Sequence, residues 1–280
     1  MNKYGIPVIE THAHTDHQLY EGRGAELVKE QFEYGIKKIV VPAITYDSNF
    51  AAREQLDEFD HVFFAAGIHP KYAMNESDWD NAQSARFEAL LSEPKTVAVK
   101  TGLDFAKKSI TDAQVSKQIA FMKRLISYAH NFDLPLVFHV RGAMEAFMNV
   151  LKEYRIHTAA EIHCYCDSIL TAERLMEHGI RYFGIGGAFT RKDSLGEYMF
   201  PELREFVRLV PAKMILLETD APFQRPHGVE IPQSEYCDNK LNTSLALVAI
   251  AEEIARLRGD ISPEDLIEAS NHNAERFFFD

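Results

Sequence analysis

Histidines and one aspartate recur in this chain directly after short apolar runs, and that placement is what can do chemistry. The first run closes in Glu10-Thr11-His12-Ala13-His14. Residues two apart on a strand point to the same face, so His12 and His14 aim two imidazoles at one point. Such a pair suits a transition metal such as zinc. Pro135 to Phe138 runs into His139 and then Arg141, and Ala160 to Ile162 runs into His163. Gly67-Ile68 leads to His69-Pro70, and Ile215 to Leu217 ends in Glu218-Thr219-Asp220-Ala221-Pro222. Taken singly, each has a plainer account. A lone histidine after an apolar run is usually structural, and an aspartate before Ala-Pro often caps a turn. The conjunction reads differently: His12, His14, His139, His163 and Asp220 all stand where strands end, and independent structural reasons for all five are hard to assemble.

The elements that must position them alternate regularly. Strand candidates are Pro7–Thr11, Lys38–Pro42, Val62–Gly67, Thr96–Lys100, Leu134–His139, Ala160–His163, Arg181–Ile185 and Met214–Glu218. They are compact, often β-branched, and rarely alternate with polar residues, as strands covered on both faces should look. Helical periods fill the gaps; the clearest carries Val115, Ile119, Met122, Ile126 and Ala129 on one stripe. Strand and helix repeated about eight times, with no antiparallel hairpin signal, predict parallel βαβ units. At this length they close into a (β/α)8 TIM-type barrel, one domain over residues 1–280, with the segment after Ser262 packed outside or across the barrel bottom. In such a barrel the carboxyl ends of the strands form the active-site face, which is where the histidines and Asp220 stand. His17, His61, His130, His157, His178, His227 and His272 stand elsewhere and read as surface or core residues. Cys164 and Cys166, just past His163, read as small buried or lining residues.

Composition narrows the substrate and the setting. Lys plus Arg total 30 against 42 Asp plus Glu, a formal charge of −12. That argues against a broad basic groove wrapping duplex nucleic acid, whose binding is driven by neutralising phosphates. It leaves room for a small site meeting one phosphodiester or a single-stranded end, with metal ions as the local positive charge. No window approaches the roughly 20 apolar residues that span a bilayer. Residues Met1 to Pro7 lack the layout of a secretory signal, and three cysteines do not make a disulfide framework. A cytoplasmic protein is expected, and nothing sets its oligomeric state.

The ordered pieces resemble the TatD family of metal-dependent deoxyribonucleases, within the amidohydrolase-like barrels. They are His12-Ala13-His14, Gly67-Ile68-His69-Pro70, Thr101-Gly102-Leu103-Asp104, Pro135 through Arg141, His163-Cys164, Glu218 through Pro222 and Asn273-Ala274-Glu275-Arg276-Phe277-Phe278, spread over nearly the whole chain. The resemblance implies that His12, His14 and Asp220 hold one metal and that His139 and His163 hold a second. It places His69 near the scissile phosphate, with Arg141 and Asn242 in support. Past His163 the family has an aromatic, a small residue and a glycine, where this chain has Tyr165-Cys166-Asp167. After Asn242 the family continues Glu-Pro, and this chain has Thr243-Ser244. These two departures touch the substrate pocket. A third touches the chemistry, because Lys100 stands where the family carries a glutamate that bridges the metals.

A protonated Lys100 cannot replace that carboxylate, since two dications and an ammonium against Asp220 leave a charge of about +4 in a confined site. A carbamate formed with carbon dioxide restores an anionic bridge and is the favoured expectation, with Lys100 then a metal ligand. The alternatives are a persisting ammonium beside a single metal and a lysine turned outward. The activity expected is phosphodiester hydrolysis by a metal-activated water, in single-stranded or end-accessible DNA or a small phosphoester, with Asp220 as general base and His69 and Arg141 stabilising the developing anion. One or two divalent ions are expected: zinc foremost, with manganese, iron or magnesium as the others. The runner-up is an amidohydrolase or lactonase attacking a carbonyl from a binuclear site bridged by carbamylated Lys100.

Overall fold

The computed structural model describes residues 1–107 and 109–280. Eight strands pair in chain order, every neighbour parallel. They are β1 (Val8–Glu10), β2 (Ile36–Pro42), β3 (Val62–Gly67), β4 (Thr96–Asp104), β5 (Leu136–Arg141), β6 (Ala160–Ile162), β7 (Tyr182–Ile185) and β8 (Ile215–Leu217). The seam between β8 and β1 is drawn together at the mouth. Thr11 Oγ1 donates to Leu217 O at 2.9 Å, His14 N to Ala221 O at 2.8 Å and Asp220 N to His12 O at 2.9 Å. The residues that close the barrel are thus neighbours of the expected ligands, or the ligands themselves. The result is a (β/α)8 TIM barrel.

Strand ends agree with the sequence reading to within two residues, with two corrections. β4 runs on to Asp104, because Thr101 through Asp104 pair with Phe138 through Arg141 of β5. The same ladder starts β5 later than expected and puts His139 inside it. The second correction follows β7, where Lys192 and Tyr198 form an antiparallel bridge around a turn held by Asp193, whose carboxylate accepts from Leu195 N and Glu197 N. Its hairpin is too short to leave an alternating pattern in the sequence.

Helices α1 (Gly24–Tyr34), α2 (Ser48–Leu56), α3 (Pro70–Ala73), α4 (Asn81–Leu91), α5 (Asp112–Asn131), α6 (Met144–Glu153), α7 (Ile169–Glu177), α8 (Pro201–Leu209), α9 (Leu247–Arg258) and α10 (Pro263–Phe278) accompany the strands. α5 shows why the local sequence folds as it does. Thr111 and Gln114 form a reciprocal capping box at its start, and Met122, Ile126 and Ala129 of the predicted stripe are buried together with Phe121 and Leu125, while Val115 and Ile119 are partly covered. Gln118, on the same face, exchanges two hydrogen bonds with the backbone of Asp104. That helix therefore fixes the end of β4 beside the mouth. At the other end, Ala274, Phe277 and Phe278 of α10 join Ile9, Val40, Ala65, Ala98, Val137 and Leu216 in one apolar cluster. α10 closes the barrel bottom, so the interior opens only toward the strands' carboxyl ends.

Candidate active site

His12 and His14 leave β1 just past its last paired residue and turn inward with rings 5.4 Å apart, edge to face. Glu10 sets that turn. Its buried carboxylate accepts from His12 N at 3.1 Å, Thr219 N at 3.0 Å and Thr219 Oγ1 at 2.6 Å, lashing the end of β1 to the end of β8. Asp220 is held with a positive φ of 50°, and its side chain faces both imidazoles: Oδ1 lies 3.9 Å from His12 Nε2 and 3.8 Å from His14 Nε2. Those spacings are too long for hydrogen bonds. They fit ligands around a common ion, since two donors each about 2.0–2.1 Å from a tetrahedral zinc stand roughly 3.4 Å apart.

On the opposite wall His139 Nδ1 meets His163 Nε2 at 3.0 Å, and His139 Nε2 meets Asp104 Oδ2 at 3.3 Å. His163 stacks flat on His12 with ring centroids 3.8 Å apart, joining the two walls. Three donor groups result: His12, His14 and Asp220; His12, His163 and Glu218; and His69, Asp104 and His139. The donor atoms within each group lie within 4.8 Å of one another. His69 packs over His139 at 4.2 Å between centroids, and its Nδ1 accepts from Lys71 N at 3.2 Å. That bond puts the ring proton on Nε2.

Burial sets the charge states. It drives His12, His14, His69 and His163 well below the ordinary histidine range, with Lys100 and the neighbouring imidazoles adding to the effect. The rings are neutral, the state in which imidazole binds a metal. Burial raises Asp220 to about 6 against the pull of Lys100. Burial lowers Lys100 to about 8, with Asp220 and Glu218 pulling the other way. His14 Nδ1, His163 Nδ1 and Glu218 Oε2 are buried and have no hydrogen-bond partner in the described structure. Neutral imidazoles, an adjacent carboxylate and unpartnered buried donors fit a divalent cation.

His14, His69, Lys100, His139, Arg141, His163 and Asp220 line one open cavity of about 590 Å³, and His12 is buried beside His14 and Asp220 rather than on its wall. Arg141 is at the exposed rim and Lys100 at the fully enclosed floor, which rules out the outward-turned lysine. Asn242 supports from behind, donating to Thr219 O at 3.0 Å. His17, expected elsewhere, lines the mouth instead, because the loop after His14 folds back over Phe223. Cys164 and Cys166 line the cavity as expected. Sequence reading gave no role to Asp104, Glu218 or Glu161. Strand alternation carried the signal for Glu161, which stands two residues before His163 on β6.

The family model described as TatD related DNase matches residues 9–279. The chain belongs to the TatD-related DNase family. Among the relatives of this TatD-related protein, the 3'-5' ssDNA/RNA exonuclease TatD of Erwinia tasmaniensis is 30% identical over 256 residues, covering 90% of this chain and 92% of the relative. The uncharacterized metal-dependent hydrolase YabD of Bacillus subtilis is 28% identical over 274 residues, covering 97% and 98%. Among solved structures, the TatD homolog YJJV of Escherichia coli superposes with a TM-score of 0.80 at 25% identity, over 97% of both chains. A TatD family hydrolase of Entamoeba histolytica shares the fold with a TM-score of 0.82 at 17% identity, over 98% of each. This TatD-related chain is a metal-dependent hydrolase of the nuclease-like kind.

Proposed function

We propose that the chain hydrolyses phosphodiester bonds at the accessible ends of single-stranded DNA or RNA, with small phosphoesters as lesser substrates, and that it does so in the cytoplasm. One barrel over residues 1–280 carries the activity. The observation behind this reading is the convergence of His12 and His14 on Asp220, at 3.9 and 3.8 Å, beside an open cavity that His14 and Asp220 line. These three residues would hold a divalent ion, zinc first among the candidates. Such an ion supplies a Lewis acid and an acidified water. His139 and His163 face the same cavity, and whether they take a second ion turns on the charge of Lys100.

The chain's own groups do the rest. The Asp220 carboxylate, which lines the cavity, accepts the proton of the attacking water. His69 presents its Nε2–H, and Arg141 its guanidinium, toward the charge that grows on the phosphoryl oxygens. Asp104 holds the imidazole of His139 in place through its 3.3 Å contact. An end-labelled single strand, a matched duplex, bis(p-nitrophenyl) phosphate and a lactone, offered to zinc- or manganese-loaded protein, test the reading. A ladder of shortened single strands, abolished by chelator and restored by metal, is expected. Opening of the lactone with every phosphodiester left intact would refute it.

A further inference from the structure

The catalytic cavity continues past the turn of α3. Lys71, Tyr72, Asp104 and Arg141 line it and also line a second, open hollow of about 480 Å³. The two spaces share a side, so a chain held in one can run on into the other. α3 places the tyrosine at that junction. Tyr72 N donates to His69 O at 2.9 Å, and the Tyr72 ring stands edge-on to the His69 ring with centroids 6.4 Å apart. Tyr72 is thereby fixed one step outward from a histidine of the catalytic site.

Tyr72 is 43% exposed. A single exposed aromatic residue is ordinary; one set between two cavities with cations beside it is not. Lys71 Nζ lies 5.9 Å from the ring centre, and Lys107 and Arg141 bring the cations of the hollow to three. The one acid among its described lining residues is Asp104, and that carboxylate is engaged. It meets His139 Nε2 at 3.3 Å and accepts from Ala106 N at 3.0 Å. In a chain of net charge −12, the hollow thus presents an aromatic ring and surplus positive charge together. That pairing is what single-stranded nucleic acid uses, since a ring takes the flat face of a base while basic groups track the backbone. An acidic peptide or a free phosphate would satisfy the cations and leave the ring idle.

We infer that this hollow seats the nucleotide next to the bond being cut, with its base stacked on Tyr72 and its flanking phosphate facing Lys71 and Lys107. The inference rests on the phosphodiesterase reading of the neighbouring cavity and names what that site selects: a strand that carries a base beside the scissile bond. Every base has a π-face, so the subsite tolerates any sequence and accepts DNA and RNA alike. A backbone that lacks the base meets the same cations and loses the stack. Stacking is present in the bound substrate as well as in the transition state, so it acts on KM and leaves kcat nearly as it was.

The test removes the base and the ring in turn. End-labelled single strands, identical except for one abasic residue at the first, second or third position from the end being shortened, are offered to zinc- or manganese-loaded protein and followed by initial rates. At one of these positions the missing base should raise KM roughly 5- to 150-fold, the range that loss of one base–aromatic stack spans. Tyr72→Ala should raise KM on the intact strand by a similar factor and add nothing on the strand that is abasic at that position, as for two halves of one contact. Tyr72→Phe, which keeps the ring and drops the hydroxyl, should hold the wild-type KM. Abasic strands as good as the intact one at all three positions, or base and ring effects that multiply, would overturn the stack and leave the hydrolase standing. A loaded protein that neither cuts nor binds any strand, by rates and by fluorescence anisotropy, would sink the phosphodiesterase reading and the subsite with it. The comparison among strands needs only wild-type protein, so it decides the matter even if Tyr72→Ala fails to fold.

Discussion

At the scale of single residues the site divides labour by position within one cavity. Asp220 is half-buried at the cavity wall, faces two neutral imidazoles and is the acid group best placed to take a proton from water. Asp220→Asn keeps the shape and removes the base, so kcat on bis(p-nitrophenyl) phosphate should fall on the order of 10²–10⁴-fold. Folding should be unchanged by circular dichroism. A loss below tenfold would move the base elsewhere, to Asp104. His69 acts differently, because Lys71 N binds its Nδ1 and leaves Nε2–H as a directed donor. His69→Ala should cost about 10²-fold in kcat with KM little changed, as for other donors aimed at developing charge. An effect confined to KM would instead make His69 a ground-state contact.

At the scale of elements the question is what holds the strand ends in register, and here sequence and structure part company in an instructive way. The eight strands were legible because strands covered on both faces read as apolar runs, and the ligands were legible because they follow those runs. The length of β4 was not. Residues Thr101 to Asp104 look like a loop until the pairing with β5 and the side chain of Gln118, 14 residues away, are in place. Glu161 was legible by alternation but mute, since nothing in the sequence tells that both its oxygens end buried without a hydrogen-bond partner. α10 gives the corresponding prediction about stability. Its Glu275 binds Lys38 at 2.6 Å and Lys37 at 3.0 Å on β2, while Lys38 also sits 3.6 Å over the Phe279 ring. Burial pulls the Glu275 carboxyl up, but the two lysine hydrogen bonds outweigh it and leave it below its ordinary 4.5. A depressed acid stabilises the fold above its unfolded pKa, and the benefit is lost as pH falls through the folded value. Glu275→Gln should therefore lower Tm by roughly 2 °C at pH 7, on the scale of a partly exposed ion pair. The gap between variant and wild type should close by pH 3 in thermal melts. A gap that persisted there would assign the loss to packing of α10 instead.

At the scale of the whole molecule, a chain of net charge −12 gathers cations around one opening. Arg141 and Arg191 line the catalytic cavity, and Lys71 joins it to an adjoining hollow of about 480 Å³ lined by Lys107 and the aromatic Tyr72. A long polyanion meets a molecule of net negative charge with Arg141, Arg191, Lys71 and Lys107 at this rim, so the molecule should bind by strand ends and engage few phosphates. Counterion release puts a number on this. If three or four phosphates are neutralised, log K for a single strand should fall with log salt at a slope on the order of −2 to −3, since each contributes about 0.7. Lys71→Ala and Arg141→Ala should each flatten that slope by about 0.7 to 1. The charge-matched surface change Lys213→Ala, at the barrel's opposite end beside β8, should leave it alone. Fluorescence anisotropy of a labelled twelve-nucleotide strand with the slowed Asp220→Asn variant, between 50 and 300 mM salt, reads the slope directly. A slope near zero would mean that the rim cations do not meet the strand. A slope much steeper than −3 would mean that the strand crosses far more of the surface than the mouth, against the repulsion that the overall charge imposes.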